Sequence, residues 1–333
     1  MYRNIIQPIV YNSFYKKCED LFIQLNIPRY NSKYSNKIFS NYHLLFIVIL
    51  KTINNMSYRR IIESIRMNAI HRNIFMKRVP HYTTIQKYLN ELDKEVLLKI
   101  IRKTSELNYS GKIAVDGTGF SKNLPSFYYR DRIGAKRVKD YLKLNMAVDT
   151  ENKMIVDAKS DGFNSHDSKY LLPIIKKIKE SKEVKELMAD KAYDSSKIFE
   201  YLFKNGIFPL IPLRNHKQSA RRYSEKGKIR SKYRKKADRI FDIKKYHKRS
   251  IVESINSAVK RKYGSFVRAK SISNQIKEAY LKLVAYNLEK INKIKKNSLF
   301  LFSKFTEFFY SAAFLFIKST EGFYWAYEKQ TDI

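Results

Sequence analysis

Cysteine, histidine and acidic residues are scarce in this chain of 333 residues. The single cysteine, Cys18, excludes an internal disulfide bond. Six histidines, none of them paired at a metal-ligand spacing, argue against a structural zinc site. The segment that begins at Met1 lacks the apolar run of a signal peptide, so we expect a reducing cytosol. Cys18 and the histidines are therefore expected to serve packing or to lie on the surface.

The shortage of acids leaves the chain strongly basic. Lysine and arginine number 67 against 31 acidic residues, which gives a formal net charge of +36. Such an excess favours a polyanionic partner, with nucleic acid first and an anionic membrane surface second. An apolar content of 44% provides a larger core than a ribosomal protein of this charge needs. We expect no small-molecule substrate.

Residues 1–110 carry helical patterns. Apolar residues fill a helix over 40–50, and Ser57 is a candidate N-cap for a helix over 57–66. A third helix is capped in this interpretation by Thr83, and its apolar stripe is formed by Ile85, Leu89 and Leu92. Exposed cations favour a helix-turn-helix-like DNA-binding region, with candidate contacts at Arg59, Arg60 and Lys87. A plain helical bundle fits the same pattern.

After Gly111 the pattern changes to short strands that alternate with helices. The predicted strands cover residues 113–115, 142–148, 154–158, 184–189 and 207–211. The predicted helices begin at His166 and at Ser195. This order predicts an α/β fold with a mixed sheet flanked by helices, and Pro209 places the last strand at an edge.

Residues 214–249 form a basic tract, with 16 lysines or arginines against three acids. Tyr223 and Tyr233 are interleaved with these cations, which suits contact with nucleic acid. The candidate contacts include Arg234, Lys235 and Lys236. A solvated loop on a basic protein is the alternative.

The C-terminal tail, residues 296–333, has no assigned role. Its segment 298–317 is aromatic and apolar and approaches the length of a membrane span. Lys304 and Glu307 lie inside that segment, and charges there cost a few kcal/mol each in a bilayer. We therefore expect a packed or self-associating helix and no membrane contact. A membrane segment and a disordered tail are the alternatives.

Three acidic residues are placed as a metal-dependent phosphoryl-transfer enzyme requires. Asp116 and Asp190 each end an apolar run, which predicts carboxylates at two strand ends, and Glu253 lies in a helical pattern. Carboxylates are natural ligands of Mg²⁺. Two metal ions among these residues would activate a water or 3′-hydroxyl and stabilise the leaving oxygen. We expect the three carboxylates to converge.

The helical pattern over residues 246–260 gives Glu253 a specific set of neighbours. At spacings of three, four and seven residues, one face carries Tyr246, Arg249, Glu253 and Lys260, and Asn256 shares it. Another face has core spacing, with Ile251, Ile255, Ala258 and Val259. Arg249 and Lys260 would neutralise phosphate oxygens, and Tyr246 would stack on a base or bond a phosphate. A salt-bridged surface helix would show the same arginine–glutamate pair.

Other acids in the same region compete for the role of metal ligand: Asp131, Asp149, Asp157, Asp161 and Asp167. Asp149 fits a turn, Asp167 fits a helix N-terminus, and Asp194 fits a cap before Ser195. These local explanations leave Asp116, Asp190 and Glu253 as the favoured set.

The spacing Tyr-x2-Arg-x3-Glu-x6-Lys resembles the signature of IS4/IS5-type DDE transposases, and Tyr246, Arg249, Glu253 and Lys260 fill it. Residues 114–118 resemble the segment of the family's first aspartate. Residues 189–195 resemble that of the second, although the family usually has glycine in place of Ala192. Residues 166–168 resemble a further recurrent segment. The resemblance covers about residues 110–290.

This resemblance implies an RNase H-like catalytic domain over residues 111–295, including the basic tract 214–249, after a DNA-binding region over 1–110. It implies two Mg²⁺ or Mn²⁺ ions, held by Asp116, Asp190 and Glu253. The implied function is cleavage of transposon-end DNA and strand transfer by an insertion-sequence transposase. Terminal inverted repeats and target DNA are the implied partners, in a homodimer or a higher synaptic complex within the prokaryotic cytoplasm, at the nucleoid.

Three other functions remain open from the residues. The chain would act as an RNase H-like nuclease if it cut DNA without joining it. A transposase-derived protein without catalysis would only bind DNA. A basic protein anchored by residues 298–317 would associate with membranes.

Overall fold

The computed structural model describes residues 8–34, 36–122, 141–161, 166, 168–214 and 231–292. Several sequence predictions lie outside these residues. They concern Tyr223 and most of the basic tract before residue 231, the acids Asp131 and Asp167, and the tail 296–333. No helix within the described residues has the length and apolar character that crossing a bilayer requires.

Six helices precede the first strand in the described residues. They are α1 (Pro8–Gln24), α2 (Asn41–Ile53), α3 (Tyr58–Met67), α4 (Ile70–Asn73), α5 (Tyr82–Glu91) and α6 (Lys94–Thr104). The Ser57 hydroxyl accepts a hydrogen bond from the Arg60 amide, which confirms the predicted N-cap of α3. The predicted cap at Thr83 is wrong, because α5 starts after His81. The Thr83 hydroxyl instead bonds the His81 ring, 2.8 Å away.

One mixed sheet follows. Its strands are β1 (Lys112–Lys122), β2 (Tyr141–Asp149), β3 (Ile155–Lys159), β4 (Glu186–Ala189), β5 (Phe208–Leu210) and β6 (Phe266–Val267). The strand order is β3-β2-β1-β4-β5, with β6 paired to β1. β2 is antiparallel to both of its neighbours, β1 and β3. β4 and β6 pair with β1 in parallel, and β5 pairs with β4 in parallel. This arrangement confirms the predicted α/β, RNase H-like fold with a helical N-terminal region.

The helices of the second half cover the two faces of this sheet. They are α7 (Ser168–Lys179), α8 (Ser196–Lys204), α9 (Lys232–Ile240), α10 (Ile243–Tyr246), α11 (Ser250–Tyr263) and α12, residues 272–292. A 3-10 turn, His247–Arg249, separates α10 from α11. The prediction of one α-helix over 246–260 is therefore wrong at its start. The Ser250 hydroxyl donates to the His247 carbonyl, which matches the tighter three-residue spacing of that turn.

β1 is much longer than the strand predicted from its apolar run. Asp116, Gly117 and Thr118 interrupt that run, but backbone pairing with β2 continues to Ser121. Asp116 therefore lies in the middle of a strand, and the prediction of a strand-end position is wrong for it. Asp190 does follow the last residue of β4 directly, as predicted. Hydrogen bonding by a neighbouring strand, rather than side-chain hydrophobicity, extends β1 beyond its apolar run.

The core extends across the change from helices to strands at Gly111. One cluster of buried residues joins α1–α6 to one face of the sheet, to α11 and to α12. A second cluster lies on the opposite face, where α7, α8 and α9 pack. Leu45 of α2 and Met146 of β2 are both fully buried in the first cluster. The chain up to Leu288 accordingly forms one compact unit.

Asn287 ties the helical region to the free edge of the sheet. Its amide oxygen accepts from the Ile155 backbone N–H at 3.0 Å, and its amide nitrogen donates to the Ile155 carbonyl at 2.8 Å. The same nitrogen donates to the Thr104 hydroxyl at 3.0 Å. Because Asn287 is fully buried, it satisfies backbone groups of the edge strand β3 that water does not reach.

We expect Asn287→Ala to destabilise the protein by on the order of 3 kcal/mol, because buried backbone groups of β3 lose their partner. Urea unfolding followed by circular dichroism measures this change. The neighbouring Tyr286→Phe variant is the control, since it removes the 3.3 Å bond from the Tyr286 hydroxyl to the Lys153 carbonyl and leaves the Asn287 amide in place. Equal unfolding free energies for the two variants would contradict the assigned role of Asn287.

Candidate active site

Asp116 and Asp190 are brought together by the register of two parallel strands. Val115 of β1 pairs with Ala189 of β4. Asp116 and Asp190 are therefore the residues that directly follow this pair on the two strands. Side chains alternate between the faces of a strand. Met188 lies in the first core cluster and Ala189 in the second, and Asp190 keeps extended backbone angles. Both carboxylates therefore belong to the face that carries the first cluster.

The edge of β1 is open at this point. β4 pairs with residues 112–115 of β1, and β6 pairs with residues 121–122, while β2 occupies the opposite edge. Among the described residues, the stretch between these two pairings has no strand partner on that edge. Asp116 is the first residue of this gap, where a side chain is accessible to a neighbouring helix.

Helix α11 packs against β1 on the same face of the sheet. Its buried residues Val252, Ile255 and Val259 join the first core cluster. From the same helix, the Asn256 amide nitrogen donates to the Asp116 carboxylate across 3.2 Å. The packing thus places the turn that carries Glu253 beside the two aspartates.

Tyr246, Arg249 and Glu253 form one connected group at the start of this helix. The Arg249 guanidinium donates to the Glu253 carboxylate at 2.6 Å. The same guanidinium lies 5.7 Å from the centre of the Tyr246 ring. Arg249 is largely covered, whereas 52% of the Glu253 side chain is exposed. Tyr246, Arg249 and Glu253 are therefore neighbours, as the helical spacing predicts, although a 3-10 turn interrupts the helix between them.

The charges of this group act on one another. Burial raises the pKa of Tyr246. The carboxylates of Asp190 and Glu253 add to this rise, whereas the positive charge of Arg249 opposes it. For Arg249, burial acts against the charged form, but Tyr246, Glu253 and Asp116 raise its pKa. All three acids of the predicted set are therefore within electrostatic reach of the Tyr246–Arg249 pair. Both partners stay protonated at neutral pH.

Lys260 lies one turn beyond Asn256 on α11. Its ammonium group is 5.8 Å from the centre of the buried Phe120 ring. Burial lowers the pKa of Lys260, and the Asp116 carboxylate opposes that shift. The lysine therefore places a positive charge near the first aspartate.

The donor chemistry of Asp116 and Asp190 fits a hard divalent cation, because carboxylate oxygens are the ligands that Mg²⁺ and Mn²⁺ prefer. In the part of the chain that the structure describes, no three His, Cys, Asp or Glu side chains are gathered closely enough to hold a metal ion. Glu253 pairs with Arg249 instead. Asp116 and Asp190 therefore share the face of the sheet on which α11 packs, and the Glu253 carboxylate is directed to Arg249.

Three of the competing acids have structural partners. Asp149 is fully buried and accepts from the Glu151 and Asn152 amides, which confirms its turn role, and it also accepts from the Ser110 amide and hydroxyl. Asp157 pairs with Arg102 across 3.1 Å, and burial raises the pKa of Asp157 to about 6. Asp161 accepts a hydrogen bond from the Tyr170 hydroxyl.

The prediction that Asp194 caps the helix after Ser195 is wrong, because a buried ion pair engages the Asp194 carboxylate. Arg234 donates to both of its carboxylate oxygens, at 2.8 and 2.6 Å. The Arg214 amide donates to the same carboxylate, and the Arg214 guanidinium donates to the carbonyls of Lys191 and Ala192. Both arginines thus bind the turn that follows Asp190.

The other candidate nucleic-acid contacts are exposed. Lys235 and Lys236 lie on the solvent side of α9. Arg59 and Arg60 of α3 and Lys87 of α5 are also exposed. The Arg59 guanidinium lies 5.0 Å from the centre of the Tyr82 ring, where α3 packs against α5. These positions leave the cations accessible to a polyanion.

Sequence reasoning missed two functions of polar residues at this site. The helical pattern puts Asn256 on the same face as Glu253 but assigns it no role, although its amide, three residues after the glutamate, was a usable signal. The pairing of Arg234 with Asp194 had no local signal, because the two are 40 residues apart. A further tie, from the Tyr193 hydroxyl to the buried Asn145, likewise connects distant segments.

Comparison with known proteins gives matches of two kinds, to a family model and to solved structures. The sequence profile of the family described as "Transposase DDE domain" matches residues 110–288, more than half of the chain. Among solved structures, the chain is similar to that in a cryo-EM structure of a piggyBac transposase synaptic complex with hairpin DNA. That similarity has 13% identity and a TM-score of 0.31, and it covers 65% of this chain and 53% of the other. The chain thus spans about half the length of that structure's chain. No curated protein matches it.

We expect Arg234→Ala to destabilise the protein by on the order of 3 kcal/mol, because the almost fully buried Asp194 carboxylate would lose its paired charge. Chemical denaturation measures the loss. Lys235→Ala is the matched control on the same helix, and an exposed substitution of this kind changes stability by about 0.5 kcal/mol or less. If the two variants unfold at the same denaturant concentration, the ion pair does not stabilise the turn after Asp190.

Proposed function

Because this chain belongs to the family of transposases with a DDE domain, we propose that it is an insertion-sequence transposase that cleaves transposon-end DNA and transfers the cut strand to target DNA. One observation carries the proposal. The pairing of Val115 with Ala189 sets Asp116 beside Asp190, on the face where α11 presents Glu253. The IS4/IS5-type spacing of the residues on this helix supports the same assignment.

In this proposal Asp116, Asp190 and Glu253 are the catalytic residues and would hold two Mg²⁺ or Mn²⁺ ions. Bound there, such ions supply Lewis-acid activation of the attacking oxygen and stabilise the leaving oxygen of phosphoryl transfer. The two aspartates already share one face of the sheet. Glu253 is 52% exposed, so its side chain has room to move toward them.

Arg249 links DNA binding to the third carboxylate. In the chain alone, its guanidinium is bound to Glu253 at 2.6 Å. A DNA phosphate is a competing anion for the same guanidinium, because arginine binds phosphate and carboxylate in similar geometry. We infer that phosphate binding to Arg249 releases Glu253 for the metal site. Lys260 and Tyr246 provide further phosphate contacts at the two ends of this face.

Double-stranded DNA is the proposed partner, as terminal inverted repeats and as target. We assign recognition of the repeats to the helical region, residues 1–110, through Arg59, Arg60 and Lys87. Lys235 and Lys236 are assigned to phosphate contacts without sequence preference. The proposed active form is a homodimer or a higher synaptic complex, located at the nucleoid of a prokaryotic cytoplasm.

Removing the charge of any one catalytic carboxylate should abolish cleavage but leave DNA affinity nearly intact. The variants are Asp116→Asn, Asp190→Asn and Glu253→Gln, each of which changes the volume of the side chain little. Cleavage of end-containing DNA in Mg²⁺ or Mn²⁺ and gel-shift affinity are measured together. Glu151→Gln is the control, because Glu151 pairs with Lys112 and Lys248 on the surface. A Glu253→Gln variant that cleaves at the wild-type rate would exclude Glu253 as a ligand.

The same variants separate the roles of the three acids in metal binding. By titration calorimetry of Mn²⁺ without DNA, the two aspartate variants should lose affinity, while Glu253→Gln should not, since Arg249 already engages that carboxylate. With end DNA bound, all three should lose affinity. A target plasmid in the cleavage assay shows strand transfer, and cutting without joining would favour a nuclease.

The two groups of exposed cations should affect DNA binding differently. Lys235→Ala with Lys236→Ala should weaken binding to any sequence and reduce the log–log salt slope by about 0.9 per lost phosphate contact. Arg59→Ala, Arg60→Ala and Lys87→Ala together should remove the preference for terminal repeats, since a good base contact discriminates by about 1–3 kcal/mol. Footprinting and salt titrations test both. If only changes beyond residue 214 removed the preference, recognition would belong to the catalytic domain.

A further inference from the structure

We propose that Asn256 is a positioning residue that orients the Asp116 carboxylate for divalent-cation binding. This inference rests on the proposed function and names a residue of the site outside the carboxylates and the Tyr-Arg-Glu-Lys set. It follows from one hydrogen bond, from the burial of the asparagine, and from an amide oxygen that the described part of the chain leaves unpaired.

The hydrogen bond between the two side chains has only one chemical direction. Asn256 lies on α11, three residues after Glu253, and its amide nitrogen is 3.2 Å from a carboxylate oxygen of Asp116. An ionised carboxylate only accepts hydrogen bonds, so the amide NH₂ must face it. The carbonyl oxygen of the same amide is then turned away from the carboxylate.

That carbonyl oxygen has no hydrogen-bond donor from the described residues, although it is buried. Asn256 itself is only 8% exposed. Leaving a buried polar group unpaired costs about 1–3 kcal/mol. Few such groups occur in native proteins, and an unpaired one at a functional site indicates a partner that the protein alone does not supply.

Packing does not explain the choice of asparagine. Val252, Ile255 and Val259, the neighbours of Asn256 on the buried side of α11, are apolar members of the first core cluster. An apolar residue of similar volume, such as leucine, would suit that environment better, since it has no amide to desolvate. The hydrogen bond to Asp116 accounts for an asparagine at this position where apolar packing does not.

The amide suits a position beside a divalent cation in two respects. It is neutral, so it steadies Asp116 without adding a further negative charge next to Asp190, as an aspartate would. Its unpaired oxygen can accept a hydrogen bond from a water molecule, and Mg²⁺ keeps several waters in protein sites. Outer partners of this kind change metal affinity about 10–100-fold when they are removed.

The test measures Mn²⁺ binding to the full-length protein by calorimetry, without DNA. Asn256→Leu should weaken Mn²⁺ binding by at least about tenfold, and its melting temperature should stay equal or rise. Ser257→Ala is the matched control, because Ser257 is the adjacent, exposed residue of α11 and lies outside the site. On an Asp116→Asn background, Asn256→Leu should have no further effect on Mn²⁺ affinity, since the two residues act together.

Wild-type Mn²⁺ affinity in a folded Asn256→Leu variant would overturn the inference, as would an effect that adds to that of Asp116→Asn. If the leucine variant does not fold, Asn256→Ala removes the same hydrogen bond without added bulk and faces the same two criteria. Failure of the proposed function has a different result. In that case the wild-type protein and Asp116→Asn bind Mn²⁺ equally or not at all.

Discussion

The register between β1 and β4 is the constraint on which the site depends. A shift by one residue would turn one aspartate to the opposite face, because side chains alternate along a strand. The register is held by the apolar residues around Val115 and Ala189, which belong to the second core cluster. Core packing on one face of the sheet thus determines how two charges meet on the other face.

Polar ties between distant segments fix the elements around that register. Arg234 binds Asp194 and so holds the turn after the second aspartate. Lys282 of α12 is buried and donates to the carbonyls of Gly264 and Phe266, which end α11 and form β6. Burial lowers the pKa of Lys282 to about 8, and its two carbonyl partners satisfy the ammonium group. The elements that carry the acids are therefore braced from outside the site.

Periodicity and turn chemistry predicted most elements of the fold. Alternation predicted β2 and β3, Ser57 predicted the start of α3, and Pro209 predicted the edge position of β5. The length of β1 was missed, because its second half is specified by pairing with β2 and not by its own apolar residues. Local sequence determines caps and alternation, but the extent of a ladder depends on the partner strand.

The candidate site, like the fold, has contacts that the sequence predicts and contacts that it does not. Spacing along one helix predicted that Arg249 and Glu253 are neighbours, because residues four apart lie on one face. Spacing alone gives no sign that the Glu253 carboxylate is engaged by this arginine in the folded chain, or that Arg234 is paired with Asp194, 40 residues away. A cation near an acid in three dimensions is engaged first by that acid. In a chain with 67 basic and 31 acidic residues, several cations are available to an acid, so the fold and not the spacing along the sequence decides which of them pairs with it.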